Sequence, residues 1–191
     1  MSRFTVTKRR KRKGKTDYKK RMNLLMSKMP RLVIRKSLKN IMLQAVDYVP
    51  AGDKVILTIN SKDLKKVGWK ANLNNLPACY LCGYLFGKKA IEKKVKKCIL
   101  DLGMQSSVKK ASLFAALKGV IDAGLDVPHS KNVFPDEKRI KGEHIVNYAK
   151  LLKEDKGRYK KQFAHCLKTG FDPENMTAHF DDIKSKIGAK K

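Results

Sequence analysis

Few residues in this chain of 191 have the types and spacing that chemistry requires. Cys79 and Cys82 form a Cys-x-x-Cys pair, half of a zinc site, and His165–Cys166 can be imagined as the other half. A zinc ribbon needs a second Cys-x-x-Cys at definite spacing, and none occurs. Both cysteines also fall three apart inside an apolar run of helical period, where thiols pack as small hydrophobes, so core packing explains them better. The histidines His129, His144, His165 and His179 lie in the C-terminal part without a nucleophile or ligand pattern beside them. No Walker sequence, no G-x-G-x-x-G after a strand and no G-x-S-x-G occurs. A metal-dependent nuclease needs clustered carboxylates, but the segment Arg31–Ser37 has none and Asp101 has no acidic companion. The residues point away from an enzyme, and no metal or cofactor is expected.

Cations offer a different chemistry. Lys and Arg number 45 against 17 Asp and Glu, a formal charge of +28. Residues 1–21 hold eleven bases and one acid, whereas residues 122–182 hold eleven of each. The last nine residues add four lysines. A charge so concentrated repels itself unless a polyanion neutralises it. The run Lys8–Arg9–Arg10–Lys11–Arg12–Lys13–Gly14–Lys15 has no apolar face, so a membrane surface is a poor partner and nucleic acid a good one. No apolar run reaches the ~18 residues of a membrane span, and no signal-peptide pattern follows the basic N-terminus. Four cysteines without secretory features fit a reducing cytosol.

Three clusters could contact a nucleic acid. Lys15–Thr16–Asp17–Tyr18–Lys19–Lys20–Arg21 adds an aromatic ring and hydrogen-bonding groups to the charge. Arg35, Lys36, Ser37, Lys39 and Asn40 crowd a predicted turn, where short polar groups reach phosphate or sugar. Trp69, beside Lys70, is either a loop anchor or a platform on which a base stacks.

The elements that must position these residues follow from periodicity. Arg31–Arg35, Ile41–Tyr48 and Val55–Asn60 read as three strands joined by turns at Ser37–Asn40 and Pro50–Asp53, an antiparallel meander. From Leu76 the period becomes helical to about Lys97, with Pro77 in the first turn and Gly83 and Gly87 four apart, suited to close packing on a sheet. Cys98–Leu102 reads as a fourth strand, parallel to one of the others because a helix leads to it. A second helix is expected from near Ser107, with Leu113, Leu117 and Ile121 on one stripe and Gly124 as terminator. The chain beyond Pro128 reads as helices. One is capped by Asp136 and carries Ile140, Tyr148, Leu151 and Leu152. Another carries Tyr159, Phe163 and Leu167, and a last one, capped by Asp172, buries Met176, Phe180, Ile183 and Ile187. The expected fold class is therefore α/β, a βββαβα core with a mixed sheet over residues 29–127. A basic extension, 1–28, precedes it, its arm 1–21 expected to be disordered until it meets a partner, and a helical extension, 128–191, follows.

The segments KTDYKKR (15–21), RLVIRKS (31–37), GWK (68–70), NLPACYLCGYLFGKKA (75–90), FAALKGVIDAGLDVPHS (114–130), PDEKRIKGEHI (135–145) and FDPENMTAHF (171–180) resemble, in order, the universal large-subunit ribosomal protein family numbered eighteen, in its longer archaeal form. The resemblance implies an RNase-H-like core of the translation-machinery type and a structural role without catalysis. It implies binding of 5S rRNA and its attachment to the central protuberance of the large subunit in the cytoplasm. The implied partners are large-subunit rRNA and neighbouring ribosomal proteins, including the other 5S-binding protein. It places RNA contacts on Arg9, Arg10, Lys11, Arg12, Lys13, Lys15, Thr16, Tyr18, Arg21, Arg35, Lys36, Ser37, Lys39, Asn40, Trp69 and Lys70. At Leu38 and Asn40 the sequence departs from the Asn and His expected in the archaeal pattern. Two rival readings are a general basic nucleic-acid binder and a protein-docking scaffold built on the neutral C-terminal helices.

Overall fold

The structure, a computed structural model, describes residues 5–189; Arg3 of the arm and Lys190 and Lys191 of the tail lie outside it. Strands β1 (Arg31–Lys36), β2 (Ile41–Val49) and β3 (Gly52–Asn60) form the antiparallel meander. Because side chains alternate along a strand, Leu32 and Ile34 enter the core while Arg31, Val33 and Arg35 share the other face. After β3 a 3-10 turn, Ser61–Val67, is closed by a capping box between Asn60 and Asp63 and ends at Gly68.

Helix α3 (Leu76–Glu92) starts where the Asn75 side chain accepts the Ala78 N–H and Pro77 occupies the first turn. It ends before the predicted Lys97 because Lys94 turns left-handed (φ 63°) and Val95 folds back, its N–H reaching the Ala90 carbonyl. The crossover delivers β4 (Ile99–Asp101) parallel to β1, giving the sheet order β3-β2-β1-β4. The protein is thus α/β with a four-stranded mixed sheet.

Helix α4 (Ser112–Asp122) begins later than Ser107, after a loop whose Gln105 side chain brackets the backbone of Lys36 and whose Lys110 is left-handed (φ 60°). Gly83 and Gly87 face α4 and not the sheet. A Cβ at Gly83 would collide with the Ala116 carbonyl, and one at Gly87 would sit 2.8 Å from the Val120 oxygen. Gly119 of α4 answers against the Tyr80 carbonyl, so the two helix backbones touch. The gain is apolar burial: Leu81, Phe86, Ala115, Ala116 and Leu117 are almost wholly out of water. Each large side chain among them contributes roughly 1.5–3 kcal/mol.

The C-terminal region breaks more often than its periodicity predicts. α5 (Glu137–Lys141) and α6 (Glu143–Leu152) are separated at left-handed Gly142, and α7 (Lys156–Gln162) and α8 (Ala164–Lys168) at Phe163. Asp136 makes no capping bond; its carboxylate faces Lys110. Helix α9 (Met176–Ala189) buries Met176, Phe180, Ile183 and Ile187, the predicted stripe. These residues join one hydrophobic cluster that begins at Leu32 of β1.

The basic arm is the largest departure. Instead of a chain without structure it holds α1 (Arg9–Arg12) and α2 (Tyr18–Leu25). Asp17 caps α2 by accepting the N–H groups of Lys19 and Lys20.

Candidate nucleic-acid interface

The face of the sheet opposite α3 and α4 carries a relay of five ions. The Arg21 guanidinium of α2 donates to both oxygens of Asp53, at 2.9 and 2.7 Å. Arg31 lies between two carboxylates, its Nη1 donating to Asp101 Oδ2 at 2.8 Å and its Nη2 lying 2.9 Å from Asp53 Oδ2. Arg35 closes the far end, with Nη2 on Asp101 Oδ1 at 3.1 Å and Nη1 on the Asp101 carbonyl at 2.6 Å. Asp101 Oδ1 also accepts the Gly103 N–H.

Three guanidiniums against two carboxylates leave the relay one positive charge in excess. The Arg21 hydrogen bond leads the causes that hold the Asp53 carboxyl below its usual range. Burial pushes the Asp101 carboxyl up, but the charges and hydrogen bonds of Arg35 and Arg31 outweigh it and bring it down. The relay clamps α2, and with it the arm, onto the sheet. Bidentate pairing is specific in geometry, so it sets the arm's direction as well as its position.

Along the clamped arm, Arg9, Arg10, Lys11, Arg12, Lys13 and Lys15 all stand exposed. Arg10 Nε donates to the Thr16 hydroxyl at 2.8 Å, and Lys8 Nζ lies 4.7 Å from the centre of the Tyr18 ring. Lys20 reaches toward the Gly103 carbonyl. At the tip between β1 and β2, Lys36, Lys39 and Leu38 are exposed. Ser37 and Asn40 hold the turn itself: the Ser37 hydroxyl donates to the Asn40 carbonyl and accepts its N–H. The Asn40 side-chain oxygen accepts from Ser61.

Trp69 is not available as a stacking platform. It is 2% exposed, its indole N–H donates to the Asn72 carbonyl, and its ring stacks on His179 with centroids 4.9 Å apart. Burial lowers the His179 pKa, which keeps Nε2 free to accept the Lys70 N–H. Trp69 is therefore a loop anchor that ties the segment after the 3-10 turn to α9, while Lys70 beside it faces outward. Cys79 and Cys82 are wholly buried in α3, and burial pushes the Cys79 thiol up to about 12 and that of Cys82 well up.

Composition alone did not reveal Arg31, Asp53 and Asp101 as the residues that fix the arm. A signal was present in RLVIRK, whose alternation places Arg31 and Arg35 on one face, opposite Leu32 and Ile34. Their acidic partners are remote in sequence, and no local pattern joins them.

An α/β domain that fixes a cationic arm against its own sheet presents a surface suited to a polyanion. Among the described residues no group of three or more His, Cys, Asp or Glu could hold a metal, and no helix is long and apolar enough to cross a membrane. The family described as "Ribosomal large subunit proteins 60S L5, and 50S L18" matches residues 2–97 and 89–130. The large ribosomal subunit protein uL18 of Methanococcus maripaludis is 47% identical over 186 residues, covering 97% of this chain and 96% of the relative. The chain belongs to this family of large-subunit ribosomal proteins, as its motifs implied. It is a structural constituent of the large ribosomal subunit and not an enzyme.

Proposed function

We propose that the protein binds 5S rRNA and attaches it to the central protuberance of the large subunit, in the cytoplasm. There it would meet large-subunit rRNA and neighbouring ribosomal proteins, among them the other 5S-binding protein. The observation that carries this reading is the clamp of Arg21 on Asp53, which presents the arm's cations along a fixed line. A flexible arm would follow any polyanion, whereas a fixed one favours a folded RNA of matching shape. In this reading an RNase-H-like βββαβα core, residues 29–127, carries the basic extension 1–28 and the helical extension 128–191. Arg9, Arg10, Lys11, Arg12, Lys13 and Lys15 neutralise phosphates, with Thr16 and Tyr18 beside them. Arg35, Lys36, Ser37, Lys39, Asn40 and Lys70 contribute from the ordered domain, Arg21 positions the arm, and Trp69 supports Lys70 from within the core.

Filter binding across a salt series tests this. 5S rRNA is expected to bind more tightly than an unrelated RNA or a DNA of equal length. Deleting residues 1–15 is expected to reduce the slope of log K against log salt by about four, the effect of about five phosphates released. Equal affinity for all three nucleic acids at physiological salt would refute 5S recognition.

A further inference from the structure

Between the arm and the open face of the sheet lies a cleft of about 290 Å³, roofed by Arg10, Lys15 and Lys20 and floored by Arg31 and Arg35. Its carboxylates are engaged. Asp17 caps α2, and Asp53 and Asp101 are held by the arginine relay. The cation at the bottom is not satisfied to the same degree. Arg31 is 4% exposed, and while Nη1 and Nη2 are paired with Asp101 and Asp53, its Nε has no acceptor among the described residues. A buried guanidinium with an unpartnered Nε–H is costly, because that group has given up water without a substitute. Leu24, Val33, Val46 and Val55 form an apolar wall beside it. The cleft thus combines an anion-seeking floor with a surface against which a sugar or base can lie.

We propose that this cleft is a binding site for a phosphate group, supplied by an unpaired nucleotide of the bound RNA, with Arg31 as its deepest donor. Counting Arg10, Lys15, Lys20, Arg21, Arg31 and Arg35 against Asp17, Asp53 and Asp101, the lining carries three positive charges in excess, enough for a phosphodiester or a phosphate dianion. Guanidinium forks match phosphate oxygens in geometry, and a low-dielectric floor strengthens that pairing. The site lies beneath the arm and inside the clamp, so the nucleotide it receives would be gripped between α2 and the sheet while the outer cations follow the rest of the strand. The RNA source rests on the proposed function; the affinity for phosphate does not.

The test uses the full chain and inorganic phosphate at constant ionic strength, followed through the arginine Nε–H resonances. One buried Nε–H signal is expected to shift saturably. Val55→Trp fills the wall from an exposed position, and is expected to weaken phosphate binding by about tenfold or more with the melting temperature unchanged. Lys168→Gln, exposed on α8 and away from the cleft, is expected to leave the shift intact. A shift that does not saturate, or that survives Val55→Trp, would overturn the site. In a second arm the complex with 5S rRNA is titrated. Loss of the phosphate response assigns the site to an RNA phosphate, whereas a response that persists in the complex overturns that assignment in favour of a free phosphate. If 5S rRNA does not bind at all, the proposed function and the RNA source fall together, while the titration with inorganic phosphate still decides whether the cleft holds an anion.

Discussion

Asp101→Asn is the sharpest perturbation of the clamp. Asp101 is 8% exposed and serves three donors at once: Arg31 Nη1, Arg35 Nη2 and the Gly103 N–H. Asparagine offers one oxygen where the carboxylate offered two and removes the charge that balances Arg31. Arg31, 4% exposed, cannot turn to water and would be left with Asp53 alone. Breaking a buried pair from one side costs about 3 to 5 kcal/mol. Domains of this kind have about 5–15 kcal/mol in total, so the variant loses a large share of its stability.

Urea unfolding followed by the fluorescence of Trp69, the single tryptophan, reads this directly. With a denaturant slope of about 2 kcal/mol/M the midpoint falls by roughly 2 M. Asp53→Asn is the internal comparison. Asp53 and Arg21 are each about a third exposed, and Arg31 keeps its bond to the more deeply buried Asp101, so this change is expected to cost about 1 kcal/mol and to free the arm without unfolding the domain. The acid limb gives a second check. The Asp53 and Asp101 carboxyls lie below their ordinary 3.8 when folded, so the unfolded chain takes up protons first. Their stabilisation is complete above the ordinary carboxylate pKa and is lost as pH falls through the lowered values; Asp101→Asn should flatten that loss. A cost below about 1 kcal/mol for Asp101→Asn, or a larger cost for Asp53→Asn, would refute the claim that a buried relay holds the arm.

Three further outcomes follow from the same geometry. Trp69→Ala should cost about 3–5 kcal/mol in urea unfolding followed by circular dichroism, as a core deletion does, and a variant that kept full stability while losing RNA preference would restore the stacking role. His179 accepts the Lys70 N–H only when neutral and its pKa is lowered by burial, with Asp182 opposing and Lys70 and Lys186 reinforcing. Stability should therefore be full above about pH 6.5 and decline as pH drops below it, and His179→Phe should reduce that decline between pH 7 and 5. Gly83→Ala should cost about 3 kcal/mol or more by calorimetry, because its methyl would enter the Ala116 carbonyl and neither helix backbone can withdraw cheaply; a neutral result would mean that α3 and α4 are not in backbone contact.

Local signals account for much of the fold. The alternation of RLVIRK and IMLQAVDYV needs no distant partner to declare a strand, and Pro77 or the Gly124 stop acts within one helical turn. The single-stripe helix α9 was legible for the same reason: Met176, Phe180, Ile183 and Ile187 repeat at helical spacing whatever covers them. The breaks at Gly142 and Phe163 were not, because a glycine or an aromatic residue is compatible with a continuing helix until packing decides. At Gly142 the neighbouring Met176 and Pro77 leave no room for a side chain.

The site divides along the same line. That a cationic arm and a basic turn exist could be read from the residues alone, since charge is a property of composition. Which cations are spent internally and which face outward emerged only when the chain closed in three dimensions. Arg21, Arg31 and Arg35 meet Asp53 and Asp101 across separations of up to 70 residues, and Trp69 finds His179 on the last helix. Such pairings depend on how the sheet and helices close on one another. No local preference encodes a contact whose two halves are brought together only by burying the rest of the chain.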